Sequence, residues 1–147
     1  MGGRPRRDAL DPDLVILVDT SAWVEFLRRT GSPTNQEVRR LLPEDTAVCD
    51  AVRMEVLAGA RSEAHLRELD GLLGRSTLLL TQPEDYDAAA ALHRSCRQSG
   101  ETVRRLLDCL IAAVAIRHDV PVLAADADYE VLSRHTALAV HRPGRRR

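Results

Sequence analysis

The chain has 147 residues, of which 44% are hydrophobic and 3% aromatic, and its formal net charge is −1. These values predict one folded domain with an aliphatic core, and the scarcity of aromatic side chains argues against a surface on which nucleic-acid bases stack. No apolar run reaches the length of a membrane span. The three cysteines show no C-x-x-C spacing, which argues against a zinc cluster and favours free thiols in the cytoplasm.

None of the 21 basic residues is Lys. Two interpretations stay open. A GC-rich genome favours Arg codons, and a guanidinium also binds a phosphate well because it can donate two parallel hydrogen bonds.

From residue 14 onward, short apolar runs alternate with segments of helical period. The apolar runs predict five strands, at 14–18, 47–49, 77–80, 120–124 and 137–141. Helices are predicted at 23–29, 35–42, 52–60, 65–73, 81–100, 103–118 and 129–134. Ser21 or Thr20 is expected to cap the first of them. This alternation predicts an α/β fold with a parallel sheet and helices on both of its faces.

The two ends of the chain differ from the segment between them. Residues 1–13 are rich in Gly, Pro, Arg and Asp without an apolar period, which predicts a disordered basic leader. Residues 142–147 predict a frayed basic tail. One domain is therefore expected at 14–141.

Acidic residues follow two of the predicted strands. Asp19 and Asp126 stand at carboxyl ends, where parallel sheets bind their ligands. Asp108 and Glu55 lie among apolar residues on predicted helices, and a buried carboxylate needs a partner. Oxygen ligands without clustered His or Cys favour Mg²⁺ or Mn²⁺ over zinc, and such ions can activate water for phosphodiester hydrolysis.

Each acid also has a simpler interpretation. Asp19 alone can be a helix cap, Asp108 can pair with Arg104 one helical turn earlier, and Glu55 can pair with a neighbouring Arg. Asp128 can be a solvated loop residue. The arrangement of the acids, more than any one of them, favours a metal site.

The segment VILVDTSAWVEFLRR resembles the opening motif of PIN-domain ribonucleases, specifically the VapC toxins of bacterial toxin–antitoxin pairs. MEVLAGA resembles their second acidic motif, GETVRRLLDCLIAAVAIRH their third and VPVLAADADYEVL their fourth. The four motifs follow the family's order and spacing from about Leu14 to about His141. The resemblance implies a PIN-like three-layer fold with a central, mostly parallel five-stranded sheet flanked by helices.

The resemblance also implies roles for individual residues. The catalytic acids would be Asp19, Glu55, Asp108 and Asp126, and the metal ligands Asp19, Asp108 and Asp126. The accessory residues would be Asp128, Thr20, Ser21 and Arg104, of which Arg104 would contact the scissile phosphate or pair with the acids. The sequence departs from the family pattern at Ala124, where Thr or His is usual, and at Arg105 and Leu106, where small hydroxyl residues are common.

A VapC-like chain is expected to be a cytoplasmic, Mg²⁺- or Mn²⁺-dependent endoribonuclease that cleaves tRNA or rRNA and inhibits translation. Its expected partners are a VapB-type antitoxin and a second copy of itself, in a homodimer and in a heterotetramer or larger assembly. Trp23, Val24 and Leu27 would lie near the antitoxin groove, although Trp23 is equally typical of a core aromatic residue. The alternative function is a catalytically weak PIN-like module that binds RNA or protein. An aspartyl-phosphate phosphatase is disfavoured because the chain has no Lys.

Overall fold

The computed structural model describes residues 15–42 and 44–144. Within them, the strands are β1 (Ile16–Val18), β2 (Thr46–Cys49), β3 (Thr77–Leu79) and β4 (Val122–Leu123). The helices are α1 (Thr20–Leu27), α2 (Pro33–Leu41), α3 (Asp50–Ala58), α4 (Glu63–Leu73), α5 (Pro83–Gln98), α6 (Leu106–His118) and α7 (Asp128–His135). The predicted leader and the last three residues of the predicted tail lie outside the described residues.

The strands form a parallel sheet in the order β3-β2-β1-β4. Strands β2 and β3 therefore lie on one side of β1, and β4 lies on its other side. Strand order reverses between β1 and β4, and ligands of open parallel sheets bind at the carboxyl ends of the strands at such a reversal. This topology places the residues that follow Val18 and Leu123 beside each other.

The prediction of a fifth strand at 137–141 is wrong. In the described chain this segment makes a single parallel bridge, between Val140 and Val122. The Val122 N–H donates to the carbonyl of Ala139, and the Val122 carbonyl accepts the N–H of His141. The Val120 N–H already donates to the end of α6, and β4 ends after two residues. The edge of the sheet therefore has too few free backbone N–H and carbonyl groups to pair with a full strand.

The core is aliphatic, as the composition predicts. All three residues of β1 are buried, which is typical of a parallel strand covered on both faces. The middle of α6 is also buried on every side, from Asp108 to Ala115. All three cysteines are free and buried, in agreement with the prediction of small apolar core residues.

The beginnings of two helices, α1 and α6, differ from the prediction in a way that bears on the acids. The N-cap of α1 is Asp19, not Ser21 or Thr20, because its carboxylate accepts the Ser21 N–H at 3.0 Å. The long helix α6 begins at Leu106 rather than at residue 103, since Arg105 has an extended backbone and is its N-cap. Arg104 therefore lies in the loop before α6, and its predicted pairing with Asp108 along one helix is wrong.

The segment after β4 is held on the body of the protein by α2. His141 is buried and its Nε2 forms a hydrogen bond with Glu37, which also forms an ion pair with Arg40 one turn along α2. Arg142, in the predicted tail, pairs with Glu130 of α7. None of the helices in the described part of the chain is long and apolar enough to cross a membrane.

Candidate active site

Asp19 joins the sheet to the first helix. It follows β1 directly, is 3% exposed, and its backbone N–H donates to the Leu123 carbonyl of β4 at 2.9 Å. Its Oδ2 accepts hydrogen bonds from the N–H and the hydroxyl of Ser21, at 3.0 and 2.6 Å. The Ser21 hydroxyl accepts the N–H of Ala125 at 2.9 Å. Asp19 is thus a helix cap, and the same contacts fix it between the ends of β1 and β4.

The buried hydroxyl of Tyr129 connects Asp19 to a second acid. It donates to Asp19 Oδ1 at 2.7 Å and lies 3.5 Å from Asp108 Oδ1. Tyr129 is 1% exposed, and burial beside two carboxylates raises the pKa of its hydroxyl well above 10. The hydroxyl therefore stays protonated and acts as a donor.

Three carboxylates meet beside this link. One oxygen each of Asp108, Asp126 and Asp128 lies within 4.8 Å of the others. Asp108 comes from the first turn of α6, Asp128 begins α7, and Asp126 lies in the loop after β4. The interpretation of Asp128 as a solvated loop residue is wrong, since it is buried. Asp19 stands beside this trio and reaches it through Tyr129.

The surroundings of Asp108 disfavour the charged form of its carboxyl. Burial, followed by the charge of Asp19, raises the pKa of its carboxyl to about 7; Arg105 opposes this with a smaller lowering effect, and Asp126 and Asp128 add still smaller raising effects. Its Oδ2 is buried and has no hydrogen-bond partner. An isolated buried carboxylate oxygen is costly, so this atom is suited to a ligand that the protein itself does not supply.

Arg104 contacts the other two carboxylates of the trio. Its side chain lies 3.3 Å from Asp128 and 3.2 Å from Asp126, and its backbone N–H donates to Asp128 at 3.2 Å. Of the two roles that the resemblance implies for Arg104, the structure shows the pairing with acids.

Glu55 lies on α3 at the other side of Asp19. It accepts the Thr20 hydroxyl at 2.7 Å and forms an ion pair with Arg105. The interpretation that Glu55 pairs with an Arg is therefore confirmed, but the partner lies 50 residues away. Thr20 and Ser21 both use their hydroxyl groups to orient acids, Glu55 and Asp19 respectively.

The donor set of this region consists of hard oxygens. Carboxylates and hydroxyls are the ligands of Mg²⁺ and Mn²⁺, and no buried thiol or imidazole belongs to the three-carboxylate cluster. Three acids at close range repel one another, and the buried Asp108 oxygen that has no hydrogen-bond partner is suited to bind a cation. The residues present therefore fit a divalent metal ion.

A cleft of about 880 Å³ begins at Thr20 and Glu55 and runs between α1, α3 and α4. Its apolar lining includes Val24 and Leu27. The charged side chains that line it are Arg28, Arg29, Arg39, Arg61, Glu55 and Glu68. Trp23 is fully buried and does not line the cleft, so it is a core aromatic residue. The cleft thus joins a basic and partly apolar surface to Glu55, one of the predicted catalytic acids.

The sequence interpretation missed two contacts of the site. No role was predicted for Tyr129, although a buried tyrosine hydroxyl generally needs a partner. Arg105 was noted only as a departure from the family pattern. Its pairing with Glu55 carries no signal in the sequence, because the two residues lie on segments far apart in the chain.

The comparisons with known proteins agree with this geometry. The model of the PIN domain family matches residues 16–135. VapC ribonuclease Mb1587 of Mycobacterium bovis and Ribonuclease VapC11 of Mycobacterium tuberculosis are each 46% identical to the chain over 128 residues, which is 84% of this chain and 96% of each relative. The chain belongs to the VapC family of PIN-domain proteins. The resemblance of the four acidic motifs is thereby confirmed.

Solved VapC-type structures share the fold. The VapBC complex of Salmonella typhimurium, solved bound to DNA, superposes with a TM-score of 0.70 at 16% identity, over 87% of this chain and 97% of that one. VapC20 of Mycobacterium tuberculosis, described as a sarcin–ricin loop cleaving toxin, gives a TM-score of 0.64 at 15% identity, over 87% and 99%. At these identities the likeness concerns the fold, and it confirms the PIN-like α/β architecture of this VapC-family chain.

Proposed function

We propose that this chain is the toxin of a type II toxin–antitoxin pair, a metal-dependent endoribonuclease that cleaves structured RNA, either tRNA or rRNA, and so inhibits translation. The observation that carries the proposal is the convergence of Asp108, Asp126 and Asp128 around a buried oxygen without a partner. The names of the 46%-identical relatives, which are ribonucleases, support the reaction class.

The trio of carboxylates would hold Mg²⁺ or Mn²⁺, with Asp19 completing the catalytic acids beside it. A bound divalent ion supplies charge that stabilises the phosphate oxygens and lowers the pKa of water, the nucleophile. Tyr129 and Ser21 hold the Asp19 carboxylate in its orientation through hydrogen bonds. Burial of Asp108 and Asp128 limits their contact with bulk water and strengthens their attraction for a cation.

Glu55 is the remaining predicted catalytic acid. It lines the cleft, and its two carboxylate oxygens contact Thr20 and Arg105. In this position it can accept a proton from water or orient water toward a phosphate that enters from the cleft. The proposal therefore separates cation-holding acids from a proton-handling acid.

The proposed partners are an RNA substrate, a second copy of the chain and a VapB-type antitoxin, in a heterotetramer or a larger assembly. The solved structures with a similar fold include VapBC complexes bound to DNA. These complexes support the proposal that an antitoxin is a partner of this chain. The cleft that contains Val24 and Leu27 is the proposed antitoxin groove. A cytoplasmic location belongs to the same proposal, because tRNA and rRNA act there.

The test is cleavage of total RNA by the purified chain. Asp108→Asn and Asp19→Asn should each lower the cleavage rate at least a hundredfold, because each removes a negative charge that attracts the cation, and the cation in turn stabilises the phosphate. Asp119→Asn is the matched control: it makes the same chemical change at the other end of α6, about 16 Å away along the helix. Full activity in either site variant would contradict the proposal.

Metal dependence is tested in the same assay. Cleavage should stop in EDTA and return with Mg²⁺ or Mn²⁺. Cleavage that resists the chelator would indicate acid–base catalysis without metal. RNA that is bound but left intact in either ion would favour the alternative function, a catalytically weak binding module.

A further inference from the structure

Arg104 is the cation that occupies the edge of the three-carboxylate cluster in this structure. Its Nη2 lies 3.2 Å from Asp126 Oδ1, and its Nε lies 3.4 and 3.3 Å from the two oxygens of Asp128. These are two of the three acids that can hold a metal ion. The guanidinium and a divalent cation therefore have overlapping ligands.

The side-chain contacts of Arg104 are weak by their geometry. Charge-assisted N–H···O bonds usually measure about 2.7–2.9 Å, and all three contacts here are longer. The Arg104 side chain is also 72% exposed, so water competes with it. An exposed ion pair of this kind contributes little free energy and can be exchanged at low cost.

The two acids do not depend on this guanidinium for their position. The Asp128 N–H donates to Asp126 Oδ1 at 2.9 Å, and the Arg104 backbone N–H donates to Asp128 Oδ2 at 3.2 Å. Both bonds come from the main chain and would persist if the Arg104 side chain moved away. The carboxylates are thus held in place by the backbone and are only neutralised by the side chain.

The neutralisation by Arg104 is incomplete. Its guanidinium contacts Asp126 and Asp128, while the buried Oδ2 of Asp108 has no hydrogen-bond partner. A divalent cation is small enough to reach all three acids and carries twice the charge. Because a guanidinium and a metal ion repel each other, both are not expected to contact the same carboxylates.

We propose that the Arg104 guanidinium and a divalent cation exchange at Asp126 and Asp128. Arg104 balances the two carboxylates in the metal-free protein and leaves them when the ion binds. This inference rests on the proposed function, since it concerns the metal site of that reaction. It makes Arg104 a positioning residue whose removal tightens metal binding.

The test is calorimetric titration of the full chain with Mn²⁺, without RNA. Arg104→Gln should bind Mn²⁺ more tightly than the wild type, by roughly two- to five-fold, the equilibrium equivalent of a surface ion pair. Arg134→Gln is the remote control, since Arg134 pairs with Glu101 at the surface, and it should leave the affinity unchanged.

Arg105→Gln is the neighbouring control. It removes the same charge from the same loop, but Arg105 forms its ion pair with Glu55 and acts on the trio only through its charge near Asp108, so its gain in affinity should be smaller than that of Arg104→Gln. An equal gain would mean that only the overall charge of the loop matters and would overturn the exchange. Weaker binding by Arg104→Gln would overturn it too, since Arg104 would then help the ion to bind.

Thermal melting gives a second readout. In EDTA, Arg104→Gln should melt below the wild type because the acids lose their counter-charge, and saturating Mn²⁺ should abolish or reverse this difference. A difference that is the same with and without Mn²⁺ would contradict the proposal. If the wild type itself does not bind Mn²⁺, the metal dependence of the proposed function fails instead.

Discussion

At the scale of single residues, the site combines two acids joined by a phenol. The Tyr129 hydroxyl fills the space between Asp19 and Asp108 and donates to the former at 2.7 Å. A Phe at this position would leave Asp19 Oδ1 without this donor. The tyrosine therefore has a polar function in a position that is otherwise part of the core.

The same crowding predicts that Asp108 destabilises the metal-free protein. Because the pKa of its carboxyl is raised to about 7, the folded chain binds a proton that the unfolded chain releases near pH 4. The free energy of unfolding in EDTA should therefore rise as the pH falls from about 8 to 5. Asp108→Asn should remove this dependence and stabilise the chain at pH 8 by about 1–3 kcal/mol.

Urea denaturation at pH 8 and pH 5 measures this effect. Asp87→Asn serves as the control, because this exposed carboxylate on α5 is remote from the trio and its removal should leave the pH dependence unchanged. An Asp108→Asn variant that unfolds more easily than the wild type at pH 8 in EDTA would show that the charged carboxylate is stabilised in the metal-free fold.

At the scale of the elements, the start of α6 decides which acids the arginines contact. The helix begins at Leu106 and leaves Arg104 and Arg105 in an extended segment. The two successive side chains reach different acids: Arg104 contacts Asp126 and Asp128, and Arg105 contacts Glu55. A helix that began at residue 103 would have kept Arg104 close to Asp108.

Helix α2 holds the segment around His141 in place through Glu37. The buried Glu37 carboxylate pairs with Arg40 and His141, and these hydrogen bonds outweigh burial and lower its pKa to about 2. Glu37→Gln should lower the free energy of unfolding at pH 7 by about 1–3 kcal/mol.

The effect of Glu37 should depend on pH in the opposite sense to that of Asp108. Its contribution is complete above about pH 4.5 and is lost as the pH falls toward 2, because the folded carboxyl then takes up its proton. Denaturation curves of Glu37→Gln and the wild type should therefore converge near pH 2. Glu130→Gln, which alters an exposed pair with Arg142, should change stability by much less.

At the scale of the whole molecule, the cleft lies between α1, α3 and α4 and ends at Thr20 and Glu55. Its lining combines apolar side chains of α1, among them Val24 and Leu27, with four arginines. If this is the antitoxin groove, Leu27→Asp should weaken binding of the cognate antitoxin about tenfold or more, since a buried apolar contact becomes a charge.

Calorimetry with the cognate antitoxin and an RNA cleavage assay measure the two sides of this prediction. Cleavage by the free chain should continue in Leu27→Asp. Leu78→Asp is the matched control, because Leu78 is 49% exposed on β3 and does not line the cleft. Unchanged antitoxin affinity in Leu27→Asp would place the antitoxin on another surface.

The sequence by itself determined the class of fold and the acids that stand at the ends of strands. Apolar runs followed by Asp are local features, so Asp19 and Asp126 were placed at the correct sheet edge. The prediction of a fifth strand was wrong because pairing depends on the partner edge, and β4 offers only Val122 there. Hydrophobic period alone does not report how many groups a neighbouring strand leaves free.

Only the tertiary structure decided how the acids are held. Tyr129 and Asp19 lie 110 residues apart, and Arg105 and Glu55 lie 50 apart. Such contacts follow from the direction of side chains on packed elements, which no local period encodes. The same reason applies to Asp128, which resembles a loop residue in sequence and becomes a buried member of the trio once α7 packs beside α6.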